Sequence, residues 1–151
     1  MVKIARICVI GCEKVGKTGI IHQLAYGRDI TNSDTYTLNV DVDKACLIIL
    51  DTSGADLKIN LDIKRSYLQL CDGYMFVYSI DNPESYSILA QLKTLIDKNA
   101  KDRKEVPIVV LANKKDLGQI NSIYRRVDGN VAASWCAKEK SIRLFVFRIE
   151  C

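Results

Sequence analysis

Two rhythms of apolar residues run along the chain. Compact aliphatic and β-branched runs at residues 4–10, 45–50, 74–78, 108–111 and 142–147 are too short for helices and predict strands buried in a sheet. Between residues 37 and 42, Leu38, Val40 and Val42 alternate with Thr37, Asn39 and Asp41, the period-two pattern of a half-buried strand. That strand lies close enough in sequence to the 45–50 run to pair with it antiparallel. The second rhythm is helical. Ile20, Ile21 and Leu24 share one face of a segment over 18–26 that Gly27 ends. Asp81-Asn82-Pro83-Glu84 is a helix start, and Ile88, Leu89, Leu92, Leu95 and Ile96 recur after it at helical spacing. A further helix is expected over about 130–140, and a short helical turn near 67–70. Strands alternating with helices in this order predict an α/β fold, a P-loop-type open, mostly parallel six-stranded sheet with flanking helices, whose ligands bind at the carboxyl edge of the strands.

Composition narrows the class. At 151 residues and 48% hydrophobic, the chain fits one domain over 1–151 with a sizeable core. The net charge of +4 is spread, with 22 Lys and Arg scattered among 18 Asp and Glu, so no nucleic-acid groove is indicated. Six cysteines stand singly with no C-x-x-C pair, which fits reduced thiols in a cytoplasmic protein. The first apolar run is interrupted by Arg6 and is too short for a membrane span or signal-peptide core. No Gly follows Met1 and no cysteine stands four residues from the end, so no membrane anchor is expected. His22, the one histidine, has no ligand-like neighbours and reads as a surface or packing residue.

The chemistry starts where the first strand ends. Gly11-Cys12-Glu13-Lys14-Val15-Gly16-Lys17-Thr18 closes an apolar strand and opens a helix, the setting in which G-x-x-x-x-G-K-[ST] binds phosphate. Unpaired N–H groups at a helix start, aided by the helix dipole, suit a phosphate chain. Gly11 and Gly16 permit backbone conformations closed to other residues, Lys17 offers a cation to the β- and γ-phosphates, and the Thr18 hydroxyl suits Mg2+. The bland alternative is a glycine-rich turn with a solvated lysine; the strand-before, helix-after context argues against it.

Two further strand ends carry ligand-type residues. The 45–50 strand delivers Asp51, followed by Thr52-Ser53-Gly54 and then an irregular charged stretch suited to a switch. The 108–111 strand leads to Asn113-Lys114-Lys115-Asp116. A carboxylate at Asp116 accepts two hydrogen bonds from the N1–H and exocyclic amine of guanine, whereas adenine offers an acceptor at the N1 position. Leaving such buried groups unmet costs about 1–3 kcal/mol or more, so the motif selects GTP over ATP. Alone, Asn-Lys-x-Asp is a common surface turn. Here it follows a buried strand downstream of a phosphate loop.

At this point the chain resembles the Ras superfamily of small GTPases, through GCEKVGKT, DTSG and NKKD in the family's order and spacing, over essentially the whole chain. The resemblance implies that GTP or GDP is held with Mg2+ by Gly11, Glu13, Lys14, Val15, Gly16, Lys17 and Thr18. It also implies that Asp51 meets Mg2+ through water, that the Gly54 N–H senses the γ-phosphate, and that Asn113, Lys114 and Asp116 hold guanine. The threonine that closes over Mg2+ would be Thr35 or Thr37. Within the superfamily, QLAYG, DGYMFVYSID, KEVPIVVLANKKDL and RRVDGNVAASW are most similar to the κB-Ras branch. That implies protein partners: inhibitors of NF-κB or a GTPase-activating complex.

The sequence departs from the family pattern at two places. Glu13 stands where a glycine is usual, and Ala55 where a glutamine orients the attacking water. Ala55 cannot hold a water, and Glu13 crowds the entry of an activator's arginine, so no catalytic residue is assigned and hydrolysis is expected to be slow or nearly absent. A carboxylate about 6 Å from the γ-phosphate would also repel it by about 3 kcal/mol at an effective dielectric of 20. Two functions follow: a signalling switch with impaired hydrolysis, or a GTP-bound interaction module that does not turn over. Cys136-Ala137-Lys138 mimics the family's Ser-Ala-Lys base-binding turn but falls inside a helical segment. If 142–147 is the sixth strand, the family's closing helix is absent, and self-association over the uncovered face is expected.

Overall fold

A computed structural model of the chain describes residues 3–12, 15–24, 35–40, 45–52, 68, 71–99, 106–113, 127, 129–139 and 142–146. In chain order these form β1 (Lys3–Gly11), α1 (Lys17–Leu24), β2 (Thr35–Val40), β3 (Ala45–Asp51), β4 (Gly73–Ser79), α2 (Pro83–Asn99), β5 (Ile108–Asn113), α3 (Gly129–Lys138) and β6 (Ile142–Val146). The period-two strand begins two residues earlier than its alternation indicates, because Thr35 and Tyr36 pair with Leu50 and Ile49 of β3.

The described strands make one sheet in the order β2-β3-β1-β4-β5-β6. Only the β2–β3 pair is antiparallel; β3, β1, β4, β5 and β6 run parallel. After β1 the chain builds β2 and β3 on one side, then crosses to add β4, β5 and β6 on the other. The order therefore reverses at β1, and the crevice beyond its carboxyl end is where an open α/β sheet binds ligands.

Side chains alternate between two cores. Val9, Ile49, Val77 and Leu111 face α1 and pack with Ile20 and Ile21. Cys8, Ile10, Phe76, Tyr78, Val110 and Ala112 face the other way and pack with Leu89, Leu92 and Ile96 of α2 and Ala132 and Cys136 of α3. The α2 apolar stripe thus turns inward as its spacing predicts, Ile88 and Leu95 flanking it at half burial. Tyr86 ties the helices to the sheet, edge-on to Tyr78 at 5.3 Å and to Trp135 at 6.3 Å between ring centroids. Such pairs contribute about 0.5–1.5 kcal/mol beyond area burial. Cys136, Ala137 and Lys138 lie within α3, ahead of β6.

Candidate functional site

Backbone constraints place the loop that follows β1. Gly11 is in register with Val77 of β4, and a Cβ at Gly11 would fall against the Val77 carbonyl oxygen and 3.0 Å from Val15 Cγ2. Only glycine lets the strands stay paired up to the point where β1 leaves the sheet. Gly16 sits at φ 92°, a left-handed conformation that side chains strain to adopt. Its carbonyl accepts from the Ile20 N–H at 3.1 Å, closing the first turn of α1. Cys12 and Val15 are buried in the α1-side core, so the described ends of the loop are anchored by packing as well as by backbone.

Lys17 is 7% exposed, and its ammonium donates to the Gly11 carbonyl at 2.7 Å and to the Cys12 carbonyl at 3.4 Å. The side chain arches from the first turn of α1 back to the start of the loop. A buried ammonium costs several kcal/mol unless it is paired, and two carbonyls offset part of that cost. Cation, helix start and loop end are thereby held together, an arrangement suited to a polyanion.

Asn113 supplies the link to β5. It is fully buried, and Nδ2 donates to the Val15 carbonyl at 2.7 Å across 98 residues of sequence. Its Oδ1 is buried with no hydrogen-bond partner among the described residues. An unmet buried acceptor costs about 1–3 kcal/mol, so the site fits a ligand or neighbouring group that donates there. The β5 end is also held from β4: Ser79 is in register with Asn113, and the Ile80 N–H donates to the Asn113 carbonyl at 3.2 Å.

Asp51 ends β3 in register with Val9 of β1, so it stands at the same edge as the loop. Beside it the Thr52 hydroxyl donates to the Val9 carbonyl at 2.8 Å and adds a last rung to the β1–β3 ladder. Thr35 opens β2 opposite Leu50, at the Asp51 end of the sheet, whereas Thr37 lies two positions farther in, opposite Ile48. Next to Asp51, the Cys8 thiol is held well above the ordinary thiol range by its hydrogen bond to Cys71, by burial and by the nearby carboxylate, with Lys17 opposing the shift. Cys8 is thus a neutral core residue.

Of the residues singled out from sequence, Gly11, Val15, Gly16, Lys17, Asp51 and Asn113 converge on this edge. Thr18 lies in α1 and Thr35 in β2, but their side chains fall outside the described residues, as do Glu13, Lys14, Gly54, Ala55, Lys114 and Asp116 altogether. Sequence reasoning gave Thr52 no role of its own and passed over Ser85, a buried serine of α2 whose hydroxyl accepts from the Ser79 N–H at 3.0 Å. A single serine on an amphipathic helix carries no signal of such a contact.

Comparison with known proteins decides what kind of edge this is. The profile of the Ras family matches residues 6–146, taking in the loop, the Asp51 strand, Asn113 and the helices that support them. The chain belongs to the Ras family. Over an alignment of 155 positions this Ras-family chain is 39% identical to NF-kappa-B inhibitor-interacting Ras-like protein 1 of Homo sapiens, covering 96% of this chain and 77% of that protein. Human NF-kappa-B inhibitor-interacting Ras-like protein 2 is 39% identical over 150 residues, 93% of this chain and 75% of that protein. The Danio rerio protein 1 is 35% identical over 150 residues, 93% of this chain and 74% of that protein. The fold is accordingly that of a Ras-family P-loop GTPase, and the family implies guanine-nucleotide binding, usually with Mg2+. Among the described residues, no helix is long and apolar enough to cross a membrane.

Proposed function

We propose that this Ras-family chain binds GTP and GDP with Mg2+ as a cytoplasmic signalling protein whose hydrolysis is impaired. The observation that carries the reading is the double tie on the loop, Lys17 to Gly11 and Cys12 at one end and Asn113 to Val15 at the other. In this reading the loop N–H groups and Lys17 take the phosphates, and Asn113, Lys114 and Asp116 take guanine. Thr18, Asp51 through water, and Thr35 at the Asp51 end of β2 would hold Mg2+. When bound, Mg2+ neutralises charge on the β- and γ-phosphate oxygens. Gly54 would sense the γ-phosphate through its N–H.

Hydrolysis needs an oriented water, and binding does not. Ala55 offers no side-chain hydrogen bond to a water, and Glu13 obstructs an incoming arginine. Both departures also favour a second reading, in which bound nucleotide is a structural ligand and the chain is an interaction module. Its partner class would be NF-κB inhibitors, as in the names of its relatives, or a GTPase-activating complex. Single-turnover hydrolysis of bound GTP tests the reading. Glu13→Gly with Ala55→Gln should raise the rate more than either change alone, while GTP affinity moves far less, as expected of groups acting on one transition state. Hydrolysis by the unmodified chain at an ordinary small-GTPase rate would overturn it.

A further inference from the structure

We propose that Ser85 is a positioning residue for guanine selection, its buried hydroxyl replacing the ladder partner that β4 loses where β1 leaves the sheet for the phosphate loop. This rests on the guanine-site reading above. The β1–β4 register ends at Gly11 opposite Val77. Just past the end of β4, the Ile80 N–H faces β5 and donates to the Asn113 carbonyl, so by strand alternation the Ser79 N–H, two residues beyond Val77, faces the β1 side. There β1 has already turned away, and the amide would be stranded in a dry junction: Ser79 is 1% exposed. Buried N–H groups without partners are rare because each costs a lost hydrogen bond.

The Ser85 hydroxyl fills the place. It accepts from the Ser79 N–H at 3.0 Å and donates to the Asn82 carbonyl at 2.6 Å, with the Ser79 carbonyl 3.4 Å away. The helix turn that carries it is itself fixed, since Asn82 Oδ1 accepts from the Glu84 N–H at 3.1 Å and the Ser85 N–H at 3.4 Å. Ser79 is the register partner of Asn113, which ties Val15 of the phosphate loop. A continuous set of contacts therefore runs from α2 through the end of β4 to Asn113. Recognition sites tolerate displacements of only about 0.5 Å, so release of the β4 end is read at the base.

The test compares three probes on Ser85→Ala and Ser85→Cys, each held at a fixed interval below its own melting midpoint: GDP, ADP and inorganic pyrophosphate, which carries no base. The ratio of the ADP to the GDP dissociation constant should fall about tenfold in Ser85→Ala, the scale of one unmet buried hydrogen bond, and by less in Ser85→Cys, while pyrophosphate affinity changes less than about twofold. Equal weakening of all three probes, or no change in any, would overturn the proposal by making Ser85 a packing residue. If Ser85→Ala does not fold, amide exchange in the unmodified chain decides: the Ser79 N–H should exchange as slowly as that of Val77, and fast exchange would overturn the assignment. Failure of the unmodified chain to prefer GDP over ADP would instead remove the guanine-site reading, and the Ser79 exchange rate would still report on the local contact.

Discussion

Replacing Asn113 by Ala should cost more in the nucleotide-bound protein than in the free one. The substitution removes the 2.7 Å bond to the Val15 carbonyl, worth about 0.5–1.5 kcal/mol net, and leaves that carbonyl beside a residue only 1% exposed, at a cost of about 1–3 kcal/mol. In the free protein the same change removes the unmet Oδ1, which offsets the cost of the stranded carbonyl, so the net loss should be about 0.5–1.5 kcal/mol. With guanine nucleotide bound and Oδ1 engaged, that relief is absent. The difference, about 1–3 kcal/mol, should appear as a loss of GDP affinity of about 5- to 150-fold. Urea unfolding with and without GDP and Mg2+, alongside calorimetric titration of GDP, measures both legs of the cycle. Equal destabilisation in both states with unchanged GDP affinity would refute the reasoning and reduce Asn113 to a strut for Val15.

Gly11→Ala should lower unfolding stability by about 1–3 kcal/mol in urea, since the new Cβ overpacks the Val77 carbonyl and Val15; an unchanged midpoint would contradict the close approach. Asp116→Asn should weaken GDP binding and favour xanthine nucleotides in competition assays, because in the proposed base site the carboxylate would accept from both guanine donors. Burial pushes the Cys136 thiol up to about 11 from its ordinary 9.0, so the folded state retains a proton that the unfolded chain gives up first. Stability contributed by this group is complete below pH 9 and drains away between pH 9 and 11; Cys136→Ala should flatten that part of a pH series of melting points, leaving the share due to Cys8.

The parts legible in the sequence were those with local rhythm. Apolar runs located the strands to within a residue or two at most ends, and the phosphate-loop pattern fell between β1 and α1 because strand, glycines and helix start are contiguous. Contacts between distant segments left no such trace. The reach of Asn113 to Val15 spans 98 residues and depends on β5 lying two strands from β1. Thr52 occurs inside a recognisable motif, yet its hydrogen bond to Val9 follows from the parallel β1–β3 register, which no residue pattern states. Ser85 was hidden for a different reason: helical periodicity marks apolar positions, and a polar residue on the inward face reads as a break in the stripe.

Competition binding on the unmodified chain tests most directly the proposal that the loop takes phosphates while the β5 end reads guanine. With Mg2+ present, GDP and GTP should displace a fluorescent guanine nucleotide at least about a hundredfold more effectively than ADP and ATP, the discrimination given by two unmet hydrogen bonds in a buried base site. Equal displacement by adenine and guanine nucleotides, or no nucleotide binding at all, would contradict it.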